Sequence, residues 1–85
     1  MDRTTIVLES VEDYDDIIRG VQENFNLNPK SKTTNGMILS DNNNQQDIKV
    51  TGRIDDDEET TTIAIECKDK KIAESIRDWV KENYS

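Results

Sequence analysis

The chain reads as an α+β domain, a two-layer sandwich of order β-α-β-β-β-α in which a mostly antiparallel four-stranded sheet carries two helices on one face. Three observations carry this expectation. Ile63, Ile65 and Cys67 recur every second residue, as along a strand. Ile72, Ala73, Ile76, Trp79, Val80 and Tyr84 recur at helical spacing directly afterwards, so the two elements can share one apolar layer. An earlier series, Val11, Tyr14, Ile17, Ile18, Val21 and Phe25, has the same helical period and follows a short β-branched run. With 85 residues there is room for one small domain, residues 1–85, burying about 60–65 % of the surface of its unfolded chain.

Thr4 to Glu9, with Ile6, Val7 and Leu8 at its centre, is the first expected strand. Ser10 ends it and is placed as the helix cap, because its hydroxyl stands three residues before the carboxylate of Asp13. Glu12, Asp13, Asp15 and Asp16 then fall in the first turns, where the helix dipole favours negative charge. Gly20 interrupts the helix and is consistent with a neighbouring strand passing close by. Asn28-Pro29 is the expected stop, since proline restricts the residue before it and cannot continue the hydrogen-bond ladder.

The segment from Lys30 to Gly36 is polar, and Asn35-Gly36 suits a tight turn with positive φ before the short strand at Met37-Ile38-Leu39. Residues 41–47, dominated by asparagine and glutamine, cannot bury enough apolar surface to offset their ordering entropy and read as a mobile loop. Ile48, Val50 and Ile54 alternate with Lys49, Thr51 and Arg53, so this strand has an apolar face and a basic one, with Gly52 at an inward position. Residues 55–59 are five successive acids and form the expected acidic hairpin tip, because like charges repel and stay solvated. Beyond it, Thr62, Ala64 and Glu66 are expected to face outward, with Glu66 beside a basic neighbour. Asp69 caps the last helix.

Composition narrows the function. There are 19 acidic and 11 basic residues, a net charge of −8, and no histidine. Nucleophilic catalysis needs an activated nucleophile beside a base, and Cys67, on the inward face of a strand, reads as a structural thiol. No enzyme is expected, and no cofactor. The isolated Gly20, Gly36 and Gly52 make no phosphate-cradling loop, and the acids at 55–59 lack the glycine-centred spacing of a calcium loop, so no metal is expected either. Direct nucleic-acid binding is disfavoured by the sign of the charge. A single thiol, no charged-then-apolar leader and no apolar run near ~18 residues point to the cytoplasm, without a membrane partner.

The acids themselves are the remaining signal. Spaced carboxylates can imitate phosphates, and a small acidic surface can occupy the basic groove of another protein. The leading expectation is therefore a non-enzymatic protein-binding module, of the viral or mobile-element inhibitor type that mimics nucleic-acid charge against a basic nucleic-acid-binding enzyme. Asp55, Asp56, Asp57, Glu58 and Glu59 are the first candidate binding residues, and Asp13, Asp15 and Asp16 a second, separate set. One alternative is a structural or dimerising subunit of a larger complex, a homodimer joined through a sheet edge or the Trp79–Tyr84 helix. A weaker one is an RNA-binding α/β module using Lys30, Lys32, Lys49, Arg53, Lys68, Lys70 and Lys71.

Overall fold

The computed structural model describes residues 2–11 and 13–84. Glu12, one of the acids expected in the first helical turns, lies outside them. The elements are β1 (Asp2–Leu8), α1 (Tyr14–Phe25), β2 (Asn28–Thr33), β3 (Gly36–Asp41), β4 (Gln46–Asp55), β5 (Thr60–Cys67) and α2 (Lys70–Tyr84). The strands form a single antiparallel sheet of order β1-β5-β4-β3-β2. β2 through β5 are a continuous meander, and β1 pairs with β5 at the far edge.

The α+β class and the two-layer arrangement agree with the sequence, but the sheet has five strands where four were expected. The extra strand is β2, whose residues Asn28-Pro29-Lys30-Ser31-Lys32-Thr33 are exposed except at the last position. No apolar alternation announces it. It is held by its ladder to β3, interrupted by a bulge between Pro29 and Ser31, as suits an edge strand containing proline.

One apolar layer joins sheet and helices. α1 lies against β3 and β4, and α2 against β1 and β5. Ile6, Leu8, Leu39, Ile48, Val50, Ile63, Ile65 and Cys67 from the sheet meet Ile17, Ile18, Val21, Ala73, Ile76 and Val80 from the helices, all buried. Phe25 and Trp79 meet edge to face at 6.4 Å between ring centroids, and Trp79 meets Tyr84 at 5.9 Å. The aromatic side chains therefore belong to the helical layer, and the open face of the sheet includes Arg3, Thr5, Val7, Ile38, Lys49, Thr51, Arg53, Thr62, Ala64 and Glu66.

Several local expectations change. α1 is capped by Asp13, not Ser10: the Asp13 carboxylate accepts from the Asp15 amide at 2.9 Å, and its carbonyl accepts from Asp16 and Ile17. Val11 is consequently outside the helix and half exposed. The helix ends at Asn26, in the left-handed region (φ 54°), and Leu27 tucks into the core behind it while its amide donates to the Gln22 carbonyl. The stop thus precedes Asn28-Pro29, which already belong to β2. The neighbour crowding Gly20 is a helix: a Cβ there would stand 2.6 Å from the Trp79 ring. Asn35-Gly36 does not use positive φ. Gly36 is needed instead because a side chain would collide with the Val50 carbonyl.

Residues 41–47 give their ends to β3 and β4, leaving the four-residue turn 42–45. Asp41 organises that turn, its Oδ1 accepting from the amides of Asn43 and Asn44 and its Oδ2 from the Asn44 side chain. Ile54, expected inside, is 38 % exposed, since α1 begins with Tyr14 over Gly52 and does not extend over it. Ala64, expected outside, is buried on the open face between Thr5 and Thr51.

Candidate functional site

The acidic hairpin tip forms as a turn of residues 56–59 between β4 and β5. Its construction repeats that of turn 42–45. Asp55, half-buried at the end of β4, turns its carboxylate inward, and Oδ1 accepts from the amides of Asp57 at 3.0 Å and Glu58 at 3.3 Å. Asp56, Asp57, Glu58 and Glu59 are exposed, and Glu59 closes the turn in the left-handed region (φ 56°). The five candidate residues therefore divide into one that shapes the loop and four that face solvent.

The second set, Asp13, Asp15 and Asp16, is exposed at the start of α1. Asp13 is engaged as the cap, and Asp16 pairs with Arg19 one turn on. The sequence treats the two sets as separate surfaces, but the fold brings them to one end of the molecule. β1 runs antiparallel to β5, so Leu8 stands opposite Thr61 beside the hairpin tip. The connection to α1 is fastened there by the Thr61 hydroxyl, which donates to the Ser10 carbonyl at 2.9 Å. Tyr14 then seats α1 on Gly52, where a Cβ would come within 2.7 Å of the tyrosine Cβ and Cγ. Glu9, exposed in the bend after β1, joins the same end. It belongs to neither acidic run, and only the β1–β5 register places it there.

The opposite end has a different character. Lys68, Lys70 and Lys71 gather where β5 passes into α2, and with Asn44, Gln45, Gln46, Asp69 and Glu74 they line a shallow open groove. Buried Gln46 fixes this junction, its Oε1 accepting from the amides of Lys68 and Asp69 at 3.2 Å each. Asp69 caps α2, as its position before the apolar series implies, with Oδ1 accepting from the Lys71 amide at 2.9 Å. Lys30 of β2 reaches across β3 to pair with Asp47 of β4 at 2.7 Å. The molecule measures 38 × 23 × 23 Å. The ten residues of β4 alone span about 33 Å when extended, enough to separate the acidic end from the lysine-rich one along the long axis.

The open face of the sheet carries Arg3, Lys49 and Arg53. Glu66 stands opposite both Arg3 and Lys49, and its ion pair is with Arg3 at 3.8 Å. Among the described residues, no aromatic side chain lies on this face to stack a base. Cys67 is buried, its thiol directed at the Asp69 carbonyl at 3.0 Å. Among the described residues, no cluster of acids and cysteine is arranged to hold a metal ion, and no helix is long and apolar enough to cross a membrane. No family model matches the chain, and no curated protein or solved structure matches it at a significant level.

Proposed function

We propose that this protein is a non-enzymatic binding module that presents one continuous acidic end to a basic protein partner and competes there with nucleic acid. The supporting observation is the convergence of the hairpin tip with the start of α1, fastened by Thr61 to Ser10 and by Tyr14 on Gly52. Asp56, Asp57, Glu58 and Glu59 would meet the partner first, flanked by Asp15 and Asp16, while Asp55 and Asp13 keep the backbone in place. A surface of solvated carboxylates contributes mainly through field complementarity, which speeds association and makes binding fall steeply with salt.

The test is capture of partners from source-cell lysate on immobilised protein, with low-salt and then high-salt washes, against a variant carrying Asp56→Lys, Asp57→Lys and Glu58→Lys. A basic nucleic-acid-binding protein retained at low salt, released at high salt and lost with the variant is the expected result. Partners that persist on the triple variant would overturn the assignment. Asp55 is left untouched so that the turn itself survives.

A further inference from the structure

The two edges of the sheet differ in a way that points to a second copy of this chain. β2 is guarded: Pro29 removes a donor, the ladder is broken by a bulge, and Lys30 and Lys32 set charge along the strand. β1 has neither proline nor bulge, and its charged residues, Asp2 and Arg3, stand together at its first two positions. All seven residues, Asp2–Leu8, pair in unbroken register with β5 on one side, and among the described residues no strand lies on the other. Its Thr4-Thr5-Ile6-Val7 centre is β-branched, and Val7 is 60 % exposed, more than any other large apolar side chain described.

We infer that β1 pairs antiparallel with β1 of a second copy, joining two five-stranded sheets into one of ten. The strand is self-complementary in one register. With the two-fold axis at Ile6, Arg3 of each copy stands opposite Glu9 of the other, Thr5 opposite Val7, and Thr4 opposite Leu8. Arg3, Thr5 and Val7 share the open face of β1, and Glu9, exposed in the bend one position past the strand, is the residue that this register sets across from Arg3 of the second copy, so the ion pairs would flank the two Thr–Val contacts. Moving the axis to Thr5 sets Arg3 against Val7 and forfeits the charge match. The whole molecule supports the same arrangement, because antiparallel pairing lays the acidic end of each copy beside the end bearing Lys68, Lys70 and Lys71 of the other. This interface is distinct from the hairpin tip and stands or falls apart from the acidic-partner reading.

Sedimentation of the full chain over a wide dilution series tests the inference, with Val7→Lys, Glu9→Arg and the double variant Arg3→Glu with Glu9→Arg beside it. The expected result is a monomer–dimer equilibrium whose dissociation constant rises about tenfold or more with Val7→Lys and with Glu9→Arg, and returns toward the parent value in the double swap. A single species of one-chain mass at every concentration would overturn the inference. So would a dimer that Val7→Lys and Glu9→Arg leave equally tight. Val7 and Glu9 are exposed, so neither change disturbs the core, and unaltered circular dichroism verifies this.

Discussion

At the scale of single residues, the two hairpin turns show one device used twice. Asp41 and Asp55 each end a strand, each receives two amides of the turn that follows on Oδ1, and each turn closes on a residue with positive φ, Gln45 at 52° and Glu59 at 56°. The carboxylates satisfy turn amides, but neither closing residue is suited to its backbone. A left-handed conformation costs a residue with a Cβ about 1–2 kcal/mol. Glycine avoids that cost and forfeits about 0.5–1 kcal/mol through the greater freedom of the unfolded chain. Gln45→Gly and Glu59→Gly should therefore each stabilise the protein by about 0.5–1 kcal/mol, read as a higher urea midpoint at unchanged slope. If both midpoints fall, the turns do not hold these residues in the left-handed region. The same substitution at Asn26 (φ 54°) should gain less, because asparagine tolerates this region better than glutamine or glutamate.

At the scale of elements, what was legible in the sequence depended on whether an element carries its own apolar period. β5 and α2 do, and their pattern is the observed one; α1 does from Tyr14 onward, although its start is set by the Asp13 carboxylate rather than by the Ser10 hydroxyl. β2 carries none, since it is an exposed edge built by pairing with β3, and polar Lys30–Thr33 looks the same as a loop. The acidic runs were visible as charge. Their union was not, because it depends on β1 lying beside β5, a contact between residues about fifty positions apart. Glycines report how closely the layers approach. Gly52 faces the Tyr14 Cβ and Cγ, atoms next to the α1 backbone, whereas Gly20 faces the outer edge of the Trp79 ring, the end of that side chain farthest from its backbone. Gly52→Ala should cost about 1–3 kcal/mol by overpacking. Gly20→Ala should cost less, since about 1 kcal/mol of helix propensity offsets the crowding. Equal effects in chemical denaturation would mean that α1 is free to lift from the sheet.

At the scale of the whole molecule, folding concentrates like charge. The unfolded chain spreads its net charge of −8 along 85 residues, while the native state gathers Glu9, Asp13, Asp15, Asp16 and the residues of the hairpin tip at one end. Arg19 pairs with Asp16, but among the described residues Asp56, Asp57, Glu58 and Glu59 make no ion pair with a lysine or arginine. Such a distribution would steer a partner of the proposed basic kind, and by self-repulsion it opposes the compact state that creates it. Salt distinguishes this from a neutral solubilising surface. As sodium chloride is raised toward 0.1 M the screening length shrinks to about 10 Å, less than the span of such an end, and repulsion within it weakens. Stability against urea should therefore rise with salt. Neutralising the tip with Asp56→Asn, Asp57→Asn and Glu58→Gln should raise low-salt stability and flatten the salt dependence. If the parent protein shows no rise, its acids are too well solvated to repel one another. If the neutralised variant keeps the full rise, the repulsion lies elsewhere on the surface. The expected pair of results would mean that the end proposed to meet a partner is also the end that destabilises the free fold, so that a basic partner would relieve that repulsion and stabilise the fold by binding.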